Sequence, residues 1–191
     1  MEYGDQVQMT PLGLNPSEAQ FVRHLNEYWA KEQNNALAGR QVFLLRNLSR
    51  GSGIGFFEER GFYPDFILWL VNGEGPSGPA PTQSRQKQHI IFIEPHGMLH
   101  AMPYDNDQKA RLHEQLPSLA QEIGARSKQK HITLDSYIIS ATPYEDLRKK
   151  YDKGKWDRER FAARHILFLE RNSTYDYMER MFTEQLTMRG T

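Results

Sequence analysis

Residues 63–71 have the sequence Tyr-Pro-Asp-Phe-Ile-Leu-Trp-Leu-Val, and residues 89–97 have the sequence His-Ile-Ile-Phe-Ile-Glu-Pro-His-Gly. Each stretch contains one apolar run of strand length. Asp65 directly precedes the first run, and Glu94 directly follows the second. If the two runs pair as an antiparallel hairpin, the start of the first lies beside the end of the second. The sequence therefore predicts two acidic side chains that meet at one end of a hairpin.

His96 adds a nitrogen group to this acidic pair. Side chains two positions apart on a strand share a face, so His96 is expected to point the same way as Glu94. Two carboxylates beside an imidazole can hold a divalent cation and activate a water molecule for attack on phosphate. A purely structural alternative is that Pro64 and Asp65 form an ordinary turn, and that Pro95 ends a strand because it cannot continue a central ladder. Spacing alone favours this structural alternative over the metal site. The hairpin geometry brings the two interpretations closer to equal.

Length and composition predict one soluble domain. A chain of 191 residues can bury a single sizeable core. No apolar stretch approaches the roughly 18 residues that span a bilayer, and there is no cysteine for disulfides or thiolate ligands. The start of the chain, Met1 to Asp5, lacks the basic and apolar segments of a signal peptide. These features predict a cytoplasmic protein without a membrane segment.

The charge balance bears on nucleic-acid binding. There are 24 basic and 24 acidic residues, so the formal net charge is zero. A free-standing protein that binds DNA tightly is usually basic, so this balance counts against autonomous binding. It is compatible with a module that another protein delivers to DNA.

Hydrophobic periodicity predicts helices before and after a central group of strands. Phe21, Leu25 and Tyr28 form one buried stripe of a helix that begins at Pro16. Strands are predicted at 40–48, 54–58, 66–71, 89–93, 132–140 and 165–169, and later helices at 105–128, 143–150 and 174–186. Pro117 suggests an interruption of the second helix. This order predicts an α/β fold, a sandwich in which helices flank a central mixed sheet.

The remaining segments are predicted to be irregular. Residues 1–15 lack periodicity and are expected to form a flexible N-terminal tail, which leaves residues 16–191 as a single domain. Residues 72–81 are too rich in Gly and Pro for regular structure and are expected to form a mobile loop. Residues 149–160 form a charged connector, for which surface solvation is expected.

Six segments carry a resemblance to a known family: 44–51, 55–58, 62–70, 91–97, 134–140 and 142–144. They resemble the C-terminal region of large DEAD/DEAH-type helicases related to type III restriction subunits, and the similarity extends from about residue 16 to about residue 182. The resemblance implies the PD-(D/E)XK restriction-endonuclease-like fold and a nuclease that depends on Mg²⁺, with Mn²⁺ as a second candidate ion. Where the family carries an acidic residue, Pro, Lys and Gly, this chain has Glu94, Pro95, His96 and Gly97.

The resemblance also implies roles for individual residues. Asp65 and Glu94 would be metal ligands, the backbone carbonyl of Pro95 would complete the metal shell, and His96 would stand at the catalytic lysine position. An imidazole with an unperturbed pKa of about 6.5 is mostly neutral at pH 7.5. His96 could therefore orient or deprotonate a water molecule, ligate the metal, or mark a degenerate site. Glu58 matches an acidic residue of the family pattern, and a structural role at a strand end is equally open.

Three basic residues are candidates for phosphate contacts. Arg46 and Arg50 flank residues 47–49, and a structural salt bridge is an equally open role for each. Lys87 stands at the far end of the Gly- and Pro-rich loop, where a solvated basic loop is the commoner explanation.

Together these features predict a Mg²⁺-dependent DNA endonuclease domain from a restriction or phage-defence helicase system. The glycine-rich segment 51–55 lacks the lysine of a nucleotide-binding loop, so a helicase or ATPase module would act as a partner in cis or in trans. The alternative is a catalytically inactive nuclease-like module that binds DNA or docks a subunit. Neutral charge and the missing lysine favour the alternative, whereas the acidic pair and the match at 62–70 favour the enzyme.

Overall fold

The computed structural model describes residues 13–47, 54–55, 63–72, 87–101, 103–127, 131–172, 174 and 176–187. In chain order the helices and strands are α1 (Pro16–Glu32), β1 (Arg40–Arg46), β2 (Phe66–Asn72), β3 (Gln88–His96), α2 (Gln108–Ser127), β4 (Ile132–Ser140), α3 (Tyr144–Lys150), α4 (Arg158–Ala162), β5 (Ile166–Phe168) and α5 (Tyr177–Thr187). Single turns of 3-10 helix lie at Tyr104–Asn106 and Asp152–Gly154.

One sheet contains all five strands in the order β1-β2-β3-β4-β5. β1, β2 and β3 form an antiparallel meander, whereas β4 pairs in parallel with β3 and β5 in parallel with β4. Phe66 pairs with Ile93, so the start of β2 lies beside the end of β3. α2 connects β3 to β4, as the crossover of a parallel pair requires. The predicted hairpin and the predicted mixed sheet are both confirmed.

Helices cover both faces of the sheet. On β2, Phe66 and Leu68 point into a core that α1 and α5 complete. Ile67 points to the opposite face, where Leu112 and Leu116 of α2 pack against it. A third cluster on that second face joins α3 and α4 to β4 and β5. The α/β sandwich around a central mixed sheet is therefore confirmed.

The start of α1 is determined by local capping. The Asn15 side chain accepts a hydrogen bond from the Glu18 N–H at 2.9 Å, and the Glu18 carboxylate accepts one from the Asn15 N–H at 3.2 Å. This reciprocal pair is a capping box, which satisfies two backbone donors at the helix start. Asn15 therefore belongs to the helix cap, while residues 1–12 of the predicted tail lie outside the described residues.

Pro117 does not interrupt α2, so that prediction is wrong. The helix continues from Gln108 to Ser127 with Pro117 inside it and exposed. A proline in a helix interior costs about 3 kcal/mol or more, because one hydrogen bond is lost and the ring crowds the preceding turn. Leu112 and Leu116 are buried before the proline, and Ile123 packs on the sheet beyond it. Burial of this stripe on both sides outweighs the lost hydrogen bond.

The predicted connector is only partly solvated. Tyr151 and Trp156 are 6% and 8% exposed, and both rings pack against Phe161. Asp157 caps α4 by accepting a hydrogen bond from the Arg160 N–H at 2.7 Å. The prediction of surface solvation is therefore wrong for the aromatic residues. Exposed charges and buried rings alternate in this segment, so its average composition gave no indication of a helix.

Two other predicted segments are described only in part. Ile54 and Gly55 belong to no strand, so the strand predicted at 54–58 is wrong for these two residues, and residues 56–58 lie outside the described residues. Asn72 ends β2, and residues 73–81 of the predicted loop also lie outside them. Within the described ranges, no helix has the length and apolar character needed to cross a bilayer.

We predict that Trp156→Ala lowers the free energy of unfolding by about 3–5 kcal/mol, because it leaves a cavity at a buried position. Trp69→Ala is the matched control, since Trp69 is 41% exposed and its truncation should cost clearly less. Urea denaturation followed by circular dichroism measures both values. Equal losses for the two variants would contradict the placement of Trp156 in the core.

Candidate functional site

The acidic pair lies at one end of the β2–β3 hairpin. Asp65 immediately precedes Phe66, and Glu94 immediately follows its partner Ile93. The Asp65 N–H donates a hydrogen bond to Glu94 Oε2 at 3.2 Å, and Glu94 is only 8% exposed. The structure thus brings together the two acidic residues that the sequence singles out.

Burial and neighbouring charges raise the pKa of Asp65 to about 7. Desolvation is the largest cause, followed by the negative charges of Glu94 and Glu18. The charge of Lys109, and that of His96 when its imidazole is protonated, act in the opposite direction. A perturbed carboxyl of this kind, held among several charged groups, is typical of functional sites.

Lys109 joins this site, although no motif or spacing in the sequence indicates it. It lies in the first turn of α2, and its Nζ is 3.1 Å from Glu94 Oε1. Burial raises the pKa of Glu94, and the charge and hydrogen bond of Lys109 oppose that shift. Asp107 holds this helical turn by accepting a hydrogen bond from the Ala110 N–H at 3.2 Å. The only sequence signal for Lys109 was its position two residues after Asp107, which caps the helix that follows β3.

His96 lies near Glu94, on the face where the strand alternation predicts it. Its Nδ1 is 3.9 Å from Glu94 Oε1, which is beyond hydrogen-bond distance. This buried nitrogen makes no hydrogen bond of good geometry within the described residues. Burial is the largest cause of a lowered pKa for His96, and the charge of Lys109 is the next. The imidazole is therefore neutral near pH 7, unlike the lysine whose position the resemblance assigns to it.

The N-terminus of α1 completes the surroundings of the acidic pair. Glu18 Oε2 accepts a hydrogen bond from Arg46 Nη2 at 2.9 Å, and the Glu18 charge raises the pKa of both members of the pair. The Ser17 hydroxyl donates a hydrogen bond to the Pro95 carbonyl at 2.9 Å. Glu18 is a second site residue that the sequence did not indicate, because its position also fits a simple helix cap.

Of the predicted nucleic-acid contacts, Arg46 lies close to the acidic pair as the register partner of Phe66, whereas Lys87 lies far from it. Arg46 forms an ion pair with Glu18, which is the structural role that the sequence left open. A phosphate contact of Arg46 stays a prediction. Lys87 is exposed and seven residues before Glu94, a separation of roughly 23 Å along an extended strand. Glu58 and Arg50 lie outside the described residues.

The donor set fits a divalent cation in charge and in chemical type. Asp65 and Glu94 offer the hard oxygen ligands that Mg²⁺ prefers, and the Pro95 carbonyl is a third oxygen. Burial raises the pKa of both carboxyls, and the negative charges of Glu94 and Glu18 add to the shift at Asp65, so a cation would stabilise the ionised pair. Across the described ranges, no group of three or more His, Cys, Asp or Glu side chains is arranged as a metal site. A cation here would therefore depend on two carboxylates, backbone oxygen and water.

Comparisons with known proteins add no relative: no protein-family model, no curated protein and no solved structure matches this chain. Its function is therefore inferred from the residues of the site and from their surroundings.

Asp65→Asn should raise the melting temperature of the metal-free protein, and the gain should increase with pH. The pKa of Asp65 in the folded state, about 7, exceeds its ordinary value of 3.8, so protonation stabilises the fold. That stabilisation is lost as the pH rises through 7, whereas the amide does not titrate. Because Asp65 is partly exposed, we expect a gain on the order of 1 kcal/mol, or about 2–4 °C, at pH 8.

Thermal melts in EDTA from pH 5 to pH 8 measure this difference. Asp105→Asn is the matched control, because Asp105 is exposed and its replacement should show no comparable trend. A difference between Asp65→Asn and wild type that stays constant across this pH range would contradict the buried, crowded environment of Asp65.

Proposed function

We propose that this chain is a Mg²⁺-dependent DNA endonuclease domain of the PD-(D/E)XK class, working in a restriction or phage-defence helicase system. The observation that carries the proposal is the contact of Asp65 with Glu94 at the hairpin end, with Lys109 3.1 Å from the same carboxylate. Two acids and an ammonium at one point suit phosphodiester hydrolysis. The order of elements also supports the resemblance, since one helix precedes the central strands and others follow them.

Each site residue has surroundings that suit a catalytic role. A bound Mg²⁺ supplies an activated water and stabilises negative charge on the phosphate. Asp65 and Glu94 would hold the ion through their carboxylate oxygens. Lys109 keeps a positive charge beside Glu94, where it stabilises an anionic transition state. His96, neutral at pH 7, orients the attacking water or accepts its proton.

Lys109 offers an ammonium in place of the lysine that the family pattern has at residue 96. The resemblance assigns a catalytic lysine to residue 96, where this chain has His96. Lys109 reaches Glu94 from α2, so an ammonium stands beside the acidic pair although it comes from another element. This contact favours the enzyme, because the transition state needs a fixed positive charge rather than a lysine at one particular position.

The second candidate is a nuclease-like module without catalysis, used for DNA binding or for docking to a helicase subunit. The observation that favours it is charge balance: Lys109 pairs with Glu94 and Arg46 pairs with Glu18, and the whole chain has zero net charge. In this alternative the acidic pair has a structural role at the hairpin end. A helicase or ATPase module, in cis or in trans, is the proposed partner in both cases.

Lys109→Met should lower Mg²⁺-dependent cleavage of plasmid DNA about 10²–10³-fold, the scale of losing one preorganised transition-state donor. Asp65→Ala and Glu94→Ala should abolish cleavage. The decisive variant is His96→Lys in the Lys109→Met background, which should restore part of the rate because it returns an ammonium from β3. His96→Lys alone should keep or raise the rate at pH 8, where imidazole is uncharged. Gel assays of nicked and linear plasmid measure these rates.

Lys31→Met is the matched control for this series, because it removes an exposed lysine that pairs with Glu32. It should leave cleavage unchanged. Full activity of Lys109→Met would contradict the role of Lys109. A complete lack of cleavage by wild type and by His96→Lys, in Mg²⁺ and in Mn²⁺, would favour the inactive module.

Calorimetric titration should show Mg²⁺ or Mn²⁺ binding that Asp65→Ala abolishes, because one carboxylate offers too little negative charge to compensate dehydration of the ion. Mn²⁺ should bind more tightly, since it tolerates a nitrogen ligand such as His96. Asp105→Ala removes an exposed carboxylate elsewhere and should bind metal like wild type. Equal binding by wild type and Asp65→Ala would mean that the acidic pair is not the metal site.

A further inference from the structure

Two neighbouring cavities open beside the 3-10 turn Tyr104–Asn106, which lies between the end of β3 and the start of α2. The first cavity has a volume of about 450 Å³ and the second a volume of about 300 Å³. Tyr104 and Asp105 line both of them, so the cavities lie side by side. Neither Asp65 nor Glu94 belongs to their walls. The two cavities are therefore candidate binding sites outside the acidic pair.

The walls of these cavities carry an excess of positive charge. Four basic residues face two acidic ones: Arg111 and Arg164 in the first cavity, Lys150 and Arg160 in the second, and Asp105 and Glu114. Arg111 and Glu114 pair with each other at 2.9 Å. Arg160 and Arg164 have no acidic partner among the residues that the structure describes. Lys150 donates only to backbone carbonyls such as that of Leu99, which leaves its charge uncompensated. In a chain of zero net charge, this excess favours an anionic ligand.

Aromatic rings hold the two arginines that lack an acidic partner. The central guanidinium carbon of Arg164 lies 4.5 Å from the centroid of Trp156 and 5.3 Å from that of Tyr104. The same carbon of Arg160 lies 5.1 Å from the centroid of Trp156. Both rings are buried, with Trp156 8% and Tyr104 7% exposed. A guanidinium that is already stacked loses less freedom on binding, and its planar fork matches two oxygens of a phosphate.

The start of α2 connects the cavities to the acidic pair. Lys109 contacts the acidic pair, and Arg111, two residues later, lines the first cavity. A helix rises about 1.5 Å per residue, so these two residues lie within one turn. The charge of Asp107 acts on the pKa of both His96 and Tyr151, with burial as the largest cause in each case. Tyr151 lines the second cavity. The acidic pair and the cavities therefore share one end of α2.

We propose that Arg160 and Arg164 bind neighbouring phosphate groups of a DNA strand in these two cavities. This inference rests on the proposed function for the choice of DNA, and it adds a backbone contact to the acidic pair. Two adjacent cavities, each with one stacked guanidinium, suit phosphates that are repeated along a chain. A single free phosphate would occupy only one of them. Contacts of this kind position a protein on DNA without reading its sequence.

Fluorescence anisotropy in EDTA measures DNA binding without cleavage. The probes are two labelled duplexes of equal length and different sequence, titrated at several salt concentrations. Arg160→Gln and Arg164→Gln should each lower the slope of log affinity against log salt by about 1, because each removes one phosphate contact. The double variant should lower it by about 2. At about 0.1 M salt each single variant should bind roughly tenfold more weakly, and equally so on both duplexes.

Arg23→Gln is the matched control, because it removes an exposed arginine of α1, on the opposite face of the sheet. It should keep the wild-type slope. Circular dichroism shows whether each variant is folded, and Arg160 is exposed, so its replacement tests the proposal without disturbing the core.

A wild-type slope in folded Arg160→Gln and Arg164→Gln would overturn the proposal. So would displacement of the DNA by inorganic phosphate at the phosphate concentration of the DNA itself, which would identify a site for the free ion. Tighter binding to phosphatidylserine vesicles than to DNA, with the same dependence on the two arginines, would also overturn it and indicate a membrane surface.

The two proposals fail separately. Plasmid DNA that stays uncut, although its binding depends on the two arginines, would contradict the nuclease and leave the cavities as a DNA contact. Metal-dependent cleavage whose salt dependence is the same in wild type and in the double variant would contradict the role of the cavities and leave the nuclease.

Discussion

The antiparallel register of β2 and β3 is the constraint on which the candidate site depends. Because Phe66 pairs with Ile93, the next residues outward, Asp65 and Glu94, meet at the hairpin end. Both strands are apolar on both faces, so their own sequences specify this register only weakly. The neighbouring strands constrain the register further. β1 alternates partly buried and exposed side chains on one side, and β4 pairs with all of β3 on the other. The site is therefore a property of the whole sheet.

The charges around the acidic pair come from elements that are distant in the sequence. Glu18 belongs to α1, Arg46 to β1 and Lys109 to α2, and these helices pack on opposite faces of the sheet. Burial raises the free-energy cost of the Asp65 and Glu94 carboxylates, and the positive charge of Lys109 lowers it. The charge state of the site therefore depends on the packing of both helix layers, so a change far from the pair can alter it.

The parts of the fold that follow from local patterns were predictable, and those that depend on packing were not. The strand predicted at 132–140 has the bounds of β4, and the acidic pair followed from two charges that flank apolar runs. Glu18 and Lys109 carry no periodic signal for their approach to Glu94, because that approach depends on how α1 and α2 dock on the sheet. Trp156 was obscured for a different reason, since the charges around it dominate the composition of its segment.

Glu18 also affects how the retention of residues at this site among related sequences should be interpreted. The residue completes the capping box of α1 and contributes its charge to the acidic pair. Selection for a stable helix would preserve it even in a lineage that had lost all chemistry, so its persistence among descendants would not report activity. Lys109 differs, because a cation in the first turn of a helix opposes the helix dipole. Its persistence would need a reason other than helix stability, namely the ion pair with the buried Glu94, so residue 109 reports on the acidic pair rather than on the helix.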